Sequence, residues 1–325
     1  MTSKFGTIGI EIEFTKVPQR LVDAVHDASV ESRIHYNNGN FKIGGEIVSP
    51  VLYNHSDVKE WLLRNMKTLR LFGEDIKGSQ RDSIHIHVGF PVTNVIFLKK
   101  ALKWAIKIDK HLFKLGGFGE TPRGVINDFL YYRPLCSPHI IETRNGWGKV
   151  FDINDMMKIK TERGFWTRLG DSLNITSRYV AARYVGINFY SIRRHGTLEF
   201  RHFNKFLSPD IIATVAEFLS SSVIKAVSSS DYQLSTLNTF EDFIKFSEIS
   251  PYKRDLLLNY YYKTKWNDYD RLCKQYIISH LVIKGNSPMY YRRTKYCPKI
   301  IPEEKLKEPV ITDVHSGNYD IYIGG

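Results

Sequence analysis

Ile8-Gly9-Ile10-Glu11-Ile12-Glu13-Phe14 alternates apolar and acidic residues. Side chains two apart on a strand share a face, so Glu11 stands with Glu13 while Ile10 and Ile12 form an opposite, core-seeking face. The pattern returns in Gly45-Glu46-Ile47-Val48, Ile84-His85-Ile86-His87-Val88 and Leu198-Glu199-Phe200-Arg201-His202. His85 then pairs with His87, and Glu199 with Arg201, while Ile84/Ile86/Val88 and Leu198/Phe200 extend the apolar side. Four such strands predict a sheet that buries one face and collects ionisable groups on the other.

The chain has 325 residues, which suits one large domain or two modest ones. Hydrophobic residues make up 42% and charged residues 25%, so the core needs no disulfide or metal to hold it. Cys136, Cys273 and Cys297 lie far apart without zinc-finger or redox spacing. They read as free thiols in a reducing compartment. No apolar run reads as a membrane span of roughly 18–20 residues. Met1-Thr2-Ser3-Lys4-Phe5 leads almost directly into a strand without the apolar core of a signal peptide. The expectation is a cytoplasmic protein with no membrane partner. A formal charge of +12 and a pI near 9.4 favour anionic partners, although such charge also serves solubility alone.

Helical spacing predicts helices over 18–30, over 57–72 with Asp57 as N-cap, over 94–115 and over 209–227. Residues 116–150 read as a long loop broken by Gly116, Gly117, Pro134, Pro138, Gly146 and Gly148. Such a loop serves either as a cap over a site or as a packed connection. Tyr184–Ile192 and Thr197–Phe203 read as two strands joined by a turn at Arg193-Arg194-His195-Gly196. Beyond Ser228-Ser229-Ser230 the pattern changes to short helices rich in Tyr, Lys and Arg, which suggests a catalytic domain over 1–230 and a basic helical region over 231–325.

Glu11, Glu13 and Glu46 repel one another if they face a common space, and divalent cations relieve that repulsion. Carboxylate oxygens suit Mg²⁺ or Mn²⁺. Glu199 and an imidazole from His85 or His87 would complete a ligand set for two or three ions. Each motif also has an ordinary reading. Glu-x-Glu fits a solvated face, His-x-His a pair of supporting groups, and Glu-x-Arg an ion pair within one strand. The inference gains force from their common alternation in one chain. His-Glu-x-x-His, Gly-x-x-x-x-Gly-Lys-Ser/Thr and Gly-x-Ser-x-Gly are absent from the sequence, which removes support for zincin proteases, P-loop NTPases and α/β-hydrolases.

The ordered set Gly9-Ile10-Glu11-Ile12-Glu13-Phe14, Gly45-Glu46-Ile47-Val48-Ser49-Pro50, His85-Ile86-His87-Val88-Gly89, Arg183-Tyr184-Val185-Gly186-Ile187-Asn188 and Gly196-Thr197-Leu198-Glu199-Phe200-Arg201-His202-Phe203 resembles the amidoligase family. That family belongs to the carboxylate–amine ligases with the glutamine synthetase/glutamate–cysteine ligase fold. The likeness covers roughly residues 5–225, and its motifs are individually loose. It implies an α+β fold, a curved and mainly antiparallel sheet whose concave face is lined by metal and whose flanks carry helices. It also implies ATP-dependent amide bond formation through an acyl phosphate, with Mg²⁺ or Mn²⁺. Glu11, Glu13, Glu46, a histidine of the His85/His87 pair and Glu199 would hold the metals. Arg201 would contact phosphate, and Arg183 and Asn188 would bind nucleotide or a substrate carboxylate. Glu13, Glu46, Arg201 and Arg183 would carry catalysis.

Neither the acid nor the amine is legible. Lys284, Arg292, Arg293, Lys295 and Lys299, interleaved with Tyr290, Tyr291 and Tyr296, could contact a nucleic acid or nucleotide, or form a surface tail. The terminal Gly324-Gly325 could offer an unhindered carboxylate for ligation, or simply fray. Two other activities compete: a non-catalytic basic nucleic-acid-binding or assembly protein, and a two-metal phosphoesterase.

Overall fold

The computed structural model describes residues 6–14, 33–36, 45–71, 83–91, 94–116, 135, 139–143, 146–151, 153–168, 186–204 and 208–264. Its strands are β1 (Ile8–Phe14), β2 (Arg33–Tyr36), β3 (Gly45–Val48), β4 (Ser83–Gly89), β5 (His139–Thr143), β6 (Gly146–Phe151), β7 (Ile187–Asn188) and β8 (Thr197–Asn204). Its helices are α1 (His55–Leu71), α2 (Val95–Leu115), α3 (Ile153–Lys158), α4 (Glu162–Arg168), α5 (Tyr190–His195), α6 (Pro209–Ser228), α7 (Asp231–Ser235), α8 (Phe240–Ser247) and α9 (Pro251–Lys263). The expected helix over 18–30, Arg183, the basic stretch 284–299 and the Gly-Gly terminus lie outside the described residues.

Five strands run antiparallel in the order β2-β3-β1-β4-β8, and the two-residue β7 extends the sheet past β8. The alternation in β1 works as its sequence predicts: Ile8, Ile10 and Ile12 are buried, and the glutamates between them are partly exposed. Central β4 is buried along its whole length. Helix α6 packs on β1 and β4, α2 packs on β8, and α1 lies against α6. The chain is therefore α+β, with helices on the apolar face of an antiparallel sheet.

The sheet is irregular at one place. Two steps along β4, from Ile84 to Ile86, span three along β8, from Phe203 back to Phe200. The extra residue is a β-bulge, which re-aims side chains. Arg201 keeps to the polar face, while His202 and Phe203 both enter the core. His202 Nε2 lies 2.9 Å from Asp109 Oδ1 on α2, with both side chains fully buried. The other oxygen, Oδ2, accepts from Leu135 N at 2.7 Å. A Cβ on Gly186 would stand 2.3 Å from His202 Nε2, so only glycine lets β7 pass this ring.

Local signals place most helix ends. Asn94 caps α2 by accepting from Phe97 N, and Ser208 caps α6 by accepting from Ile211 N ahead of Pro209. In α1 the cap is Asn54 rather than Asp57. Asn54 Oδ1 accepts from Asp57 N at 3.0 Å and Asp57 Oδ2 accepts from Tyr53 N at 3.1 Å, a reciprocal pair that moves the start of the helix to His55.

Three further expectations are corrected. Among the described residues of the expected strand Tyr184–Ile192, Ile187–Asn188 pairs with β8, while Tyr190–Ile192 joins the expected turn residues through His195 in α5. Asn188 Oδ1 accepts from Tyr190 N, a local bond that diverts the backbone from the ladder. Gly196, at φ 72°, then stops α5 and starts β8. Part of the expected long loop is the β5–β6 hairpin, with a register shift between Ile141 and Glu142. Glycine at 146 and 148 therefore does not break the strand, because an antiparallel pair tolerates it beside such an irregularity. Finally, α6 is long and apolar enough to cross a membrane by composition, yet most of it is buried as the core helix between sheet and outer helices.

Helices α7 to α9 join the same hydrophobic cluster through Leu234, Phe240, Phe243, Ile244 and Leu257. Lys107 of α2 donates to the carbonyls of Ser235 and Leu237 at 2.6 and 2.9 Å, tying α7 to the helical layer. Below it His111 Nδ1 lies 2.7 Å from the Tyr261 hydroxyl. Tyr261 in turn stacks on Phe240 at a centroid distance of 4.3 Å.

Two stability predictions follow from these buried groups. Asp109→Ala strips His202 and Leu135 N of a buried acceptor and should cost about 3–5 kcal/mol in urea unfolding; a loss under 1 kcal/mol would contradict the buried pair. Burial, aided by the charge on Lys110, pushes His111 from its ordinary 6.5 down to about 4. The folded chain thus binds this proton less readily than the unfolded chain. Its stabilising effect is complete above 6.5 and is lost as pH falls towards 4, by about 3 kcal/mol in all. Unfolding measured across that window should show a shallower pH dependence for His111→Gln than for the wild type.

Candidate metal centre

Strand register assembles the site. Glu11 lies opposite His85, Gly9 opposite His87, and His87 opposite Glu199. Glu46 of β3 pairs with Glu13, and Asn188 of β7 with Glu199. A Cβ at Gly9 would stand 3.3 Å from the Cβ of His87, so the glycine relieves a tight approach at the root of that side chain.

His85 sits among three carboxylates. Its Nδ1 is 3.1 Å from Glu11 Oε2 and 3.4 Å from Glu199 Oε1, and its Nε2 is 3.5 Å from Glu13 Oε1. Ser83 Oγ donates to Glu13 Oε2 at 2.8 Å and lies 3.0 Å from His85 Nε2. His87 Nε2 lies 3.1 Å from Glu11 Oε1 but outside hydrogen-bond geometry. Arg201 Nη1 donates to Glu199 Oε1 at 2.7 Å, and Nη2 stands 3.8 Å from Glu13 Oε1. Asn188 Nδ2 donates to Glu199 Oε2 at 2.6 Å.

Burial and charge compete throughout this cluster. Burial alone would raise the Glu11 carboxyl, but His87 and His85 pull it well below the usual carboxylate range. Burial likewise raises Glu199, and Arg201, His87 and His85 outweigh it, leaving the carboxyl lowered. Burial lowers His87, yet Glu11 and Glu199 together raise it above the ordinary imidazole value. The His195 ring meets His87 edge-on at 6.3 Å; partial desolvation and the charge of His87 hold its pKa down.

One ligand atom from each of Glu11, His87 and Glu199 lies within 4.8 Å of the other two. Two oxygens on opposite sides of one small divalent ion stand about 4.2 Å apart, given bonds of about 2.1 Å. Small rotations of these side chains would therefore fit them around one cation. The donor set, two carboxylates held ionised and one imidazole, fits a divalent cation without singling out one metal.

The structure thus brings together Glu11, Glu13, His85, His87, Glu199, Arg201 and Asn188, with Glu46 adjacent by backbone register. Asn188, expected to bind nucleotide or a substrate carboxylate, stands beside Glu199. It is buried, its amide N–H serves Glu199, and its amide oxygen accepts from Tyr190 N at 3.0 Å. Four contributors escaped sequence reasoning. Ser83 and Thr197 each stand two residues before a recognised site residue, so strand periodicity carried their signal. Ser191 and His195 sit on α5, which the sequence presents as strand and turn. A scan against models of known protein families matches none with this chain, and a search of curated proteins finds no match.

The electrostatic balance predicts a measurable titration. The His87 ring should titrate above its ordinary 6.5, because Glu11 and Glu199 overcome burial. Glu11→Gln removes the strongest of these charges, so NMR of the ring should show its pKa falling. An unmoved titration would mean that Glu11 does not hold His87.

Proposed function

We propose that this chain is an ATP-dependent carboxylate–amine ligase with a divalent-metal centre on the polar face of its sheet. The observation that carries the reading is the convergence of Glu11, His87 and Glu199, with Glu13, His85 and Arg201 packed around them. The ordered motifs that resemble the amidoligases narrow the metal chemistry to ligation. They also support the finer statement that this sheet is the curved, metal-lined sheet of the glutamine synthetase-like fold.

In this reading Glu11, His87 and Glu199 hold Mg²⁺ or Mn²⁺, and Glu13 adds a carboxylate beside them, with Glu46 at the register position paired with Glu13. A divalent cation bound there would neutralise phosphate and carboxylate charge and align the two groups. The carboxylate substrate attacks the γ-phosphorus of ATP, giving an acyl phosphate and ADP. The amine then attacks the acyl carbon, expels inorganic phosphate and loses a proton. Arg201 is already drawn into the cluster by Glu199 and Glu13, which places a fixed positive charge beside it. That charge favours the dianionic phosphoryl group in transfer. Asn188 holds Glu199 in place.

A screen of carboxylic acids against amines, with ATP and Mg²⁺ or Mn²⁺, tests this directly. ADP release should require metal, acid and amine together and should yield a product of the condensed mass. Glu11→Gln and Glu199→Gln should each lower turnover by about 10²-fold or more, as loss of a metal ligand or its charge does. Hydrolysis of phosphate esters without any amine would favour a phosphoesterase. Nucleic-acid binding that persists in Glu11→Gln, with no metal-dependent turnover, would favour a binding module.

A further inference from the structure

His87 is the one imidazole in the three-ligand group, and its far side meets hydroxyls rather than charges. Its Nδ1 lies 2.9 Å from Thr197 Oγ1 and 3.5 Å from Ser191 Oγ, and these two hydroxyls are 3.1 Å apart. The opposite nitrogen, Nε2, faces Glu11. A ring with one nitrogen at a hydroxyl pair and the other at the carboxylates has its two ends chemically distinguished.

We propose that Thr197 and Ser191 are positioning residues that fix His87 with its proton on Nδ1, so that Nε2 presents a lone pair to a divalent cation. The inference rests on the metal-centre part of the reading above. Thr197 Oγ1 has two lone pairs and one hydrogen. When its hydrogen is donated to Ser191 Oγ, a lone pair remains to accept from His87 Nδ1–H. Hydrogen bonding of the far nitrogen is what selects which ring nitrogen coordinates, and it also sets the orientation of the ring.

The local fold supports this division of labour. Thr197 is the first residue of β8 and follows Gly196, whose left-handed backbone at φ 72° ends α5. Gly196 O accepts from Phe90 N at 2.8 Å, just past the end of β4, so the start of β8 is anchored beside the strand that carries His87. Ser191 comes from α5 itself and is buried. One short helix and one strand start thus deliver both hydroxyls to the same nitrogen. Gly9 avoids a tight approach of the neighbouring strand to the His87 Cβ.

The test uses the full chain and Mn²⁺ alone, with Thr197→Val, Thr197→Ser and Ser191→Ala. Long-range ¹H–¹⁵N NMR of the metal-free chain at alkaline pH reads which nitrogen of the neutral His87 ring carries the proton. The wild type and Thr197→Ser should show the Nδ1–H form, and Thr197→Val should lose that preference. Electron paramagnetic resonance should show Mn²⁺ affinity falling about 10–100-fold in Thr197→Val, less in Ser191→Ala, and recovering in Thr197→Ser. Far-ultraviolet circular dichroism checks that Thr197→Val is folded; if it is not, the wild-type tautomer and the Ser191→Ala affinity decide. A wild-type ring protonated on Nε2, or Mn²⁺ binding by folded Thr197→Val equal to the wild type, overturns the proposal. A wild type that shows the Nδ1–H form yet binds no Mn²⁺ overturns the metal reading instead and leaves the hydroxyl–imidazole geometry intact.

Discussion

The structure depends on holding several carboxylates together on one face of a sheet. Glu11, Glu13 and Glu199 sit partly or fully out of water, where their mutual repulsion is poorly screened. His85 lies among all three, His87 against Glu11, and Arg201 against Glu199 and Glu13. The opposing charges keep Glu11 and Glu199 ionised despite burial. Such a cluster gives little net stability, because desolvation offsets attraction.

The other face of the sheet explains how this arrangement is maintained. The apolar alternation of β1, β4 and β8 is sealed by α2 and α6. The bulge in β8 divides its residues between the two tasks. Glu199 and Arg201 serve the polar face, while His202 anchors to Asp109 within the helical layer. The buried pair therefore ties α2 to the strand that carries two of the site's charged groups. Packing on one side thereby sets positions on the other, through a strand that cannot shift by one residue without exchanging its faces.

Much of this was legible along the chain. Alternation in Ile8–Phe14 assigned Glu11 and Glu13 to one face before any neighbour was known, and helical spacing over 94–115 and 209–227 marked two long helices. The errors fell where local bonding overrode a run of apolar residues. Tyr190–Ile192 looked extended and Arg193–His195 a turn, yet the Asn188 amide oxygen accepts from Tyr190 N where a helix begins. The apolar run in Pro209–Ser228 did not stand out as long enough for a membrane span, although the complete helix is by length and composition, and most of that helix is buried.

The sequence alone determined which residues could share a face, because strand and helix periods follow from backbone geometry. It also specified the chemical types available: carboxylate, imidazole and guanidinium. Only the tertiary structure decided which strands became neighbours, and hence that His87 meets Glu11 and Thr197 while Asn188 meets Glu199. Those pairings join residues up to 110 positions apart. Contacts of that span depend on sheet order and a single bulge, and neither leaves a local trace in the order of residues.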